Sequence, residues 1–210
     1  YIFRDGRKQK AGTIGTIGTT SFFPSKNLGA YGDGGAIFCN DEALTAKLRM
    51  VVNHGQSKLY YHDEIGCNSR LDSIQAAILR VKLKHLDEYA DARNRAADYY
   101  DKAFENNPKI KTPVRASWSN HVFHQYTLKL YDTDRNELKE FLAGKEIPSM
   151  IYYPVAVHQQ KAYRSDRFPD SALPVTVDLI TRVISLPMHT ELTDEQLKFI
   201  TDSVLEFVNR

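Results

Sequence analysis

An α/β organisation, or its α+β neighbour, is what the sequence predicts, and three observations carry it. Short runs rich in β-branched and aromatic residues alternate with helix-period segments along the 210 residues. From about Leu71 to Asn106 apolar residues recur at helical spacing with no Pro or Gly between them. That is well beyond an average helix and suits a spine linking two domains. The hydrophobic fraction of 42% and charged fraction of 26% are those of a globular chain with a core to bury.

Each element follows in chain order. "YIFRDGRKQK" opens without an initiator Met and runs straight into turn-like chain, as expected of a piece of a longer protein. "AGTIGTIGTT" is too short for a repeat architecture and reads as glycine-interrupted extended chain. It leads into a strand at "TTSFF", and Gly34 and Gly35 lead into a second at "AIFCN". "DEALTAKLRMVVN" sets Leu44, Leu48 and Val51/Val52 at helical spacing behind Asp41, a suitable N-cap. Gly55 to Gly66 is expected as an irregular loop rich in Tyr and His. The long helix follows, through Ile74, Ala77, Ile78, Val81, Leu86, Tyr89 and Tyr99, and Pro108 and Pro113 close it. Beyond it, "HVFHQYTLKLY" predicts a strand, and "DRNELKEFLAGK" an amphipathic helix behind Thr133 and Asp134. "PSMIYYP" and "RVISLP" predict short strands, and "TDEQLKFITDSVLEFVN" a last helix with a Thr193–Gln196 capping box. The domains are expected at 1–90 and 91–210, joined through the long helix.

Composition narrows the function. A formal charge of +2 with both signs interspersed is too small to suggest a nucleic-acid or membrane partner by itself. No apolar run is long enough to span a bilayer, and the start carries no secretory signal. Two cysteines, Cys39 and Cys67, suit a reducing compartment, so a cytoplasmic location is expected.

Most chemistries lack their residues. There is no phosphate-loop motif, and "GAYGDGG" does not match G-x-G-x-x-G. His121 and His124, three apart on a predicted strand, face opposite ways and make a poor metal pair. No H-E-x-x-H, C-x-x-C or G-x-S-x-G occurs. His54, His62, His158 and His189 are scattered, and Cys67 reads as a small buried cysteine. Lys26 stands apart. It follows Phe22, Phe23 and Pro24, which can desolvate an amine, and it precedes Gly29, Gly32, Gly34 and Gly35, which let backbone approach a flat ligand. A lysine with a lowered pKa forms Schiff bases. A solvated lysine on a plain turn is the alternative on composition alone.

The stretches "SFFPSKNLGAYGDGGAIFCND", "NHGQ", "IGCNSRLDSIQAAILRVKLKHLDEY", "YYPVAVHQQ" and "SLPMHTELTDEQ" together closely resemble the DegT/DnrJ/EryC1/StrS nucleotide-sugar aminotransferases. These are pyridoxal-phosphate enzymes of the aspartate aminotransferase fold, fold type I. The resemblance runs in order from about Gly12 to the C-terminus. It is strongest toward enzymes that aminate UDP-linked keto-sugars in O-antigen and other polysaccharide synthesis.

The resemblance implies the C-terminal portion of such an enzyme: a remnant of the large-domain sheet, the long linking helix and a small α/β domain. It implies that Lys26 holds pyridoxal 5'-phosphate and is the catalytic residue. Ser21 then contacts the cofactor phosphate, and Asn68 reaches that phosphate from the neighbouring subunit of a homodimer with shared sites. Arg70 is implied at the mouth of the shared site, facing an anionic substrate group. Tyr152, Tyr153 and His158 are implied near the sugar nucleotide, with strand packing the alternative for the tyrosines. His54 sits at a frequent family position without a role. The amino donor implied is an amino acid, most often L-glutamate. Some relatives carry His in place of the lysine and act as dehydratases, so Lys26 favours transamination. The family's N-terminal part, with the acid that partners the cofactor ring, is expected to precede Tyr1; Asp5 comes too late to match it. The fragment is expected to be inactive alone. The rival readings are a lysine-bearing dehydratase, a regulatory cofactor-binding homologue, a non-catalytic interaction domain, or a nucleotide-binding module.

Overall fold

The computed structural model describes residues 2, 3 and 5–210. The chain divides into two compact units. One is the chain up to Glu88 with Ala116–Asn120, and the other is Tyr89–Arg115 with His121–Arg210. In the turn-like start, Gly6 N–H donates to the Phe3 carbonyl at 2.9 Å; Tyr1 and Arg4 lie outside the described residues.

In the first unit, β1 (Gly18–Ser21) and β2 (Gly35–Phe38) form an antiparallel ribbon with Gly18 opposite Phe38 and Ser21 opposite Gly35. Phe22 and Phe23, expected within the first strand, fall outside it, because the chain turns after Ser21. Helix α1 (Glu42–Val51) begins as expected at Asp41, whose carboxylate accepts the Leu44 N–H at 2.8 Å.

The stretch 55–66 is a correction. It holds a small antiparallel hairpin, β3 (Gln56–Lys58) and β4 (Tyr61–His62), rather than irregular chain. Gly55 makes this possible. Its φ is +73°, and a Cβ there would lie 1.7 Å from the Glu64 carbonyl oxygen. The backbone N–H groups of Asp63 and Glu64 both donate to the Gly55 carbonyl.

The long helix is also interrupted. Helix α2 (Ser73–Lys82), capped by Asp72, passes through a 3-10 turn at Leu83–His85 into α3 (Leu86–Phe104). No Pro or Gly marks that tightening, so the sequence gives no sign of it. The division between the units falls within α3.

The second unit is built on a three-stranded antiparallel sheet of order β5–β6–β7: β5 (Ile110–Lys111), β6 (Tyr126–Leu130) and β7 (Val183–Leu186). Tyr126, Leu128 and Leu130 alternate into the core. They meet Tyr100 and Phe104 of α3, Leu138 and Leu142 of α4 (Arg135–Gly144), and Leu197, Ile200, Val204 and Val208 of α6 (Asp194–Val208). Each such buried side chain contributes roughly 1.5–3 kcal/mol of transfer free energy. Asp134 caps α4 through the N–H groups of Asn136 and Glu137, and α6 carries both bonds of the Thr193–Gln196 capping box.

Two expectations fail here, and one helix is unanticipated. The strand predicted over 121–131 starts only at Tyr126, because Phe123 takes φ +40° and breaks the extended chain. His121 and His124 are therefore off the sheet, and the opposite-faces argument does not apply to them. His121 instead accepts the Phe123 N–H at Nδ1, 2.9 Å, and among the described residues no cluster of His, Cys, Asp or Glu could hold a metal ion. "PSMIYYP" pairs with the sheet only at Met150, which exchanges two backbone hydrogen bonds with Ser185. Finally, 174–182, unassigned from sequence, is helix α5 (Pro174–Arg182), with Pro174 in its first turn where no N–H is needed. No helix among the described residues is long and apolar enough to cross a membrane.

Candidate functional site

Lys26 sits half-buried on the loop that joins β1 to β2. Backbone hydrogen bonds close the loop. Phe22 N–H donates to the Gly34 carbonyl at 2.7 Å, and its own carbonyl accepts the Ala30 N–H at 2.8 Å. Inside that bracket the Lys26 N–H donates to the Phe23 carbonyl at 2.8 Å. Gly29 is obligatory there: a Cβ would stand 2.3 Å from the Pro24 carbonyl oxygen and 3.1 Å from that of Lys26. The loop leaves along α2. Lys82 Nζ donates to the Gly29 carbonyl at 2.6 Å, and Tyr31 N–H donates to Gln75 Oε1 at 2.8 Å.

The apolar jacket expected around Lys26 is not closed by its sequence neighbours. Phe23 and Pro24 are exposed, and Phe22 is half-buried.

Ser21 ends β1 opposite Gly35. Its Oγ accepts the Phe23 N–H at 3.2 Å, which leaves the hydroxyl hydrogen to donate elsewhere. Asn68 and Arg70 are brought together: Arg70 Nε donates to Asn68 Oδ1 at 3.1 Å, and its Nη1 to Asn53 Oδ1 at 3.4 Å. With its oxygen engaged, the Asn68 amide presents its NH₂ as a donor. A cavity of about 930 Å³ is lined by Thr19, Thr20, Phe38, Arg49 and Arg70 among others. Lys26 and Ser21 lie outside that lining.

His54 has a backbone role. It takes φ +61°, its N–H donates to the Cys67 carbonyl, and its own carbonyl meets His62 Nδ1 at 2.8 Å. Cys67, expected to be buried, is exposed, with Sγ 3.5 Å from Ser69 Oγ.

Tyr152, Tyr153 and His158 belong to the second unit. The tyrosine rings stand edge to face with centroids 5.6 Å apart across a cis peptide bond, and Tyr153 is exposed. His158 lies in a 3-10 turn, Val157–Gln159, with its ring 8% exposed. Its Nε2 is 2.9 Å from Asp170 Oδ1, and the Gln159 amide donates to the same oxygen at 2.9 Å. A carboxylate acceptor puts the imidazole proton on Nε2 and so orients the ring. Asp170 is a residue that sequence reading missed; it lies twelve positions from His158, with no motif joining the two.

The hydrogen bonds from Gln159 and then His158 hold the Asp170 carboxyl below the usual carboxylate range. A depressed pKa contributes stability that is present above the ordinary aspartate value of about 3.9 and is lost as pH falls through the folded value. An Asp170→Asn variant is therefore expected to be less stable than its parent to urea at pH 6, and the gap should close in acid. A gap that does not change with pH would refute the linkage.

The sequence profile described as the DegT/DnrJ/EryC1/StrS aminotransferase family matches residues 4–205. A pleiotropic regulatory protein of Geobacillus stearothermophilus is 42% identical over 198 residues, 93% of this chain and 53% of that protein. The UDP-N-acetyl-3-dehydro-alpha-D-glucosamine 3-aminotransferase of Acidithiobacillus ferrooxidans is 44% identical over 189 residues, 90% of this chain and 50% of that one. Among solved structures, a DegT DnrJ EryC1 StrS aminotransferase from Brucella abortus superposes with a TM-score of 0.87 at 38% identity, covering 95% of this chain and 52% of that chain. The chain thus spans about half the length of the curated relatives it matches.

Proposed function

The chain belongs to the DegT/DnrJ/EryC1/StrS aminotransferase family, and from that premise we propose that the full-length protein moves an amino group from an amino acid to a keto-sugar nucleotide. Members of this family are pyridoxal-phosphate-dependent transaminases. The observation that carries the reading is Lys26: an amine on a glycine-closed loop, five residues beyond a serine whose hydroxyl hydrogen is free to donate.

The residues present fit the cofactor by the chemistry of their donors. Lys26 supplies a primary amine for an aldehyde. The Ser21 hydroxyl and the Asn68 NH₂ are uncharged donors suited to phosphate oxygens. At Gly29 a side chain would collide with the loop backbone, so the loop keeps its close turn. When bound, pyridoxal phosphate supplies the electron sink that amino transfer requires. Lys26 Nζ holds the cofactor between turnovers. Once freed by the incoming amino acid, the same nitrogen would remove the proton from the donor's α-carbon as base and, as acid, deliver it to the carbon that takes over the amino group. Ser21 holds the phosphate end throughout. Arg70 faces the anionic part of the substrate, and Tyr152, Tyr153 and the Asp170-oriented His158 meet the sugar nucleotide.

In this reading 1–90 is the C-terminal part of the large cofactor-binding domain and 91–210 the small domain. The protein works in the cytoplasm as a homodimer, Asn68 serving its neighbour's site. The UDP-linked keto-sugar follows the kinship to the Acidithiobacillus ferrooxidans enzyme, and the L-glutamate donor is the one the family resemblance implies.

Two assays test this. Borohydride reduction of the full-length protein with pyridoxal phosphate should leave a stable mass increase on the peptide carrying Lys26. Glutamate with a UDP-linked 3-keto-sugar should then yield 2-oxoglutarate and the amino-sugar. Trapping without transfer to any keto-sugar nucleotide would favour the second reading, a cofactor-binding regulator, to which the Geobacillus stearothermophilus relative points. No trapping would sink both.

A further inference from the structure

We infer that Gln75 and Lys82 of α2 are positioning residues for Lys26, acting through the three-residue segment Gly29–Tyr31. The inference rests on the reading of Lys26 given above. Gln75, Leu79 and Lys82 are four and three residues apart and so share one face of the helix. Leu79 is the residue of α2 that is buried. The two polar residues flank it and reach the same short segment, 44 and 53 positions back in the chain. Gln75 Oε1 accepts the Tyr31 N–H at 2.8 Å, and its amide lies so close to Gly32 that a Cβ there would be 3.3 Å away. Lys82 Nζ donates to the Gly29 carbonyl at 2.6 Å, a charge-assisted bond, and lies 5.6 Å from the centre of the Tyr31 ring.

The mechanical consequence follows from the loop itself. Residues 22–30 are bracketed by the Ala30 N–H bond to Phe22, and the turn is too tight at Gly29 to admit a Cβ. A segment that stiff moves as a piece. Pinning Gly29 and Tyr31 to α2 therefore fixes where Lys26 sits. An amine that must attack one carbon needs that accuracy, since a misplacement of about 1 Å costs on the order of a hundredfold. A plain surface loop needs no such tether.

The test uses the full-length protein with Lys82→Met, Lys82→Arg and Gln75→Leu, and reads two signals. The first is the rate at which pyridoxal phosphate becomes borohydride-trapped on Lys26. The second is amide exchange of the peptide spanning 22–32 in the cofactor-free protein. Lys82→Met and Gln75→Leu should each slow trapping by roughly tenfold or more and speed exchange in 22–32, leaving exchange of the second unit as in the parent. Lys82→Arg should restore both signals. Parent-like trapping and exchange in Lys82→Met and Gln75→Leu would overturn the inference, as would losses that spread over the whole protein. If the parent itself traps no cofactor on Lys26, the functional reading fails. The exchange comparison still decides in that case whether α2 tethers the loop.

Discussion

Full-length protein carrying Lys26→Ala is expected to turn over no substrate pair while remaining folded. Alanine removes the nitrogen that holds the cofactor and the nitrogen that moves the proton, and these are one atom. General acid–base catalysis alone contributes about 10²–10⁴-fold. A loss at the upper end corresponds to about 5 kcal/mol of barrier, and loss of covalent capture adds to it. Lys26→Arg should fail as badly, because a guanidinium keeps the charge but stays protonated and cannot attack an aldehyde. The fold should survive both changes. The bonds that close the loop are backbone bonds, and the Lys26 N–H to the Phe23 carbonyl is kept in either variant. The measurement is single-turnover formation of 2-oxoglutarate from glutamate on cofactor-loaded enzyme, with circular dichroism as the folding check. Turnover within tenfold of the parent would remove Lys26 from the mechanism.

The largest expected loss of stability is at Arg93. This arginine is buried at 7% exposure inside the second unit. Its Nη1 donates to the carbonyls of Phe123, His124 and Met188 at 3.0, 3.2 and 3.0 Å, so two hydrogens serve three acceptors. Its Nε is buried without a hydrogen-bond partner among the described residues, and burial holds its pKa below the usual arginine value. The cation is thus balanced by carbonyl dipoles. Those carbonyls sit at two chain segments that the sheet does not hold, the left-handed turn at Phe123 and the exit from β7. Arg93→Met keeps most of the apolar stem and leaves three carbonyls short of a donor. Each unsatisfied carbonyl costs about 1–3 kcal/mol, less where water enters, so an overall loss of about 3–5 kcal/mol is expected, in the range seen when a buried charge network is broken. Arg93→Lys should recover part of it, since an ammonium brings three hydrogens on a shorter reach. Thermal unfolding of the three proteins reads the order directly. A Met variant as stable as the Lys variant would show that packing of the stem carries the site.

Local signals were legible from the sequence because their physics is local. Asp41, Asp134 and the Thr193–Gln196 pair cap their helices within three residues, so residue type and spacing suffice. Lys26 was legible for the same reason: its serine, its turn and its glycines occupy one stretch. The 3-10 turn at Leu83–His85, the hairpin over 56–62 and the late start of β6 were not. Each depends on a backbone angle or a partner that composition does not encode, such as the positive φ at Phe123. The residues that orient the candidate site were hidden by distance. Asp170 reaches His158 across 12 positions, and Gln75 and Lys82 reach the lysine loop across 44 and 53; the stabilising Arg93 likewise meets Met188 across 95. Sequence alone thus pointed to side chains able to do chemistry and to the starts of α1, α4 and α6. Tertiary structure decided which side chains aim them, because a hydrogen bond between distant residues exists only once folding has brought donor and acceptor within about 3 Å.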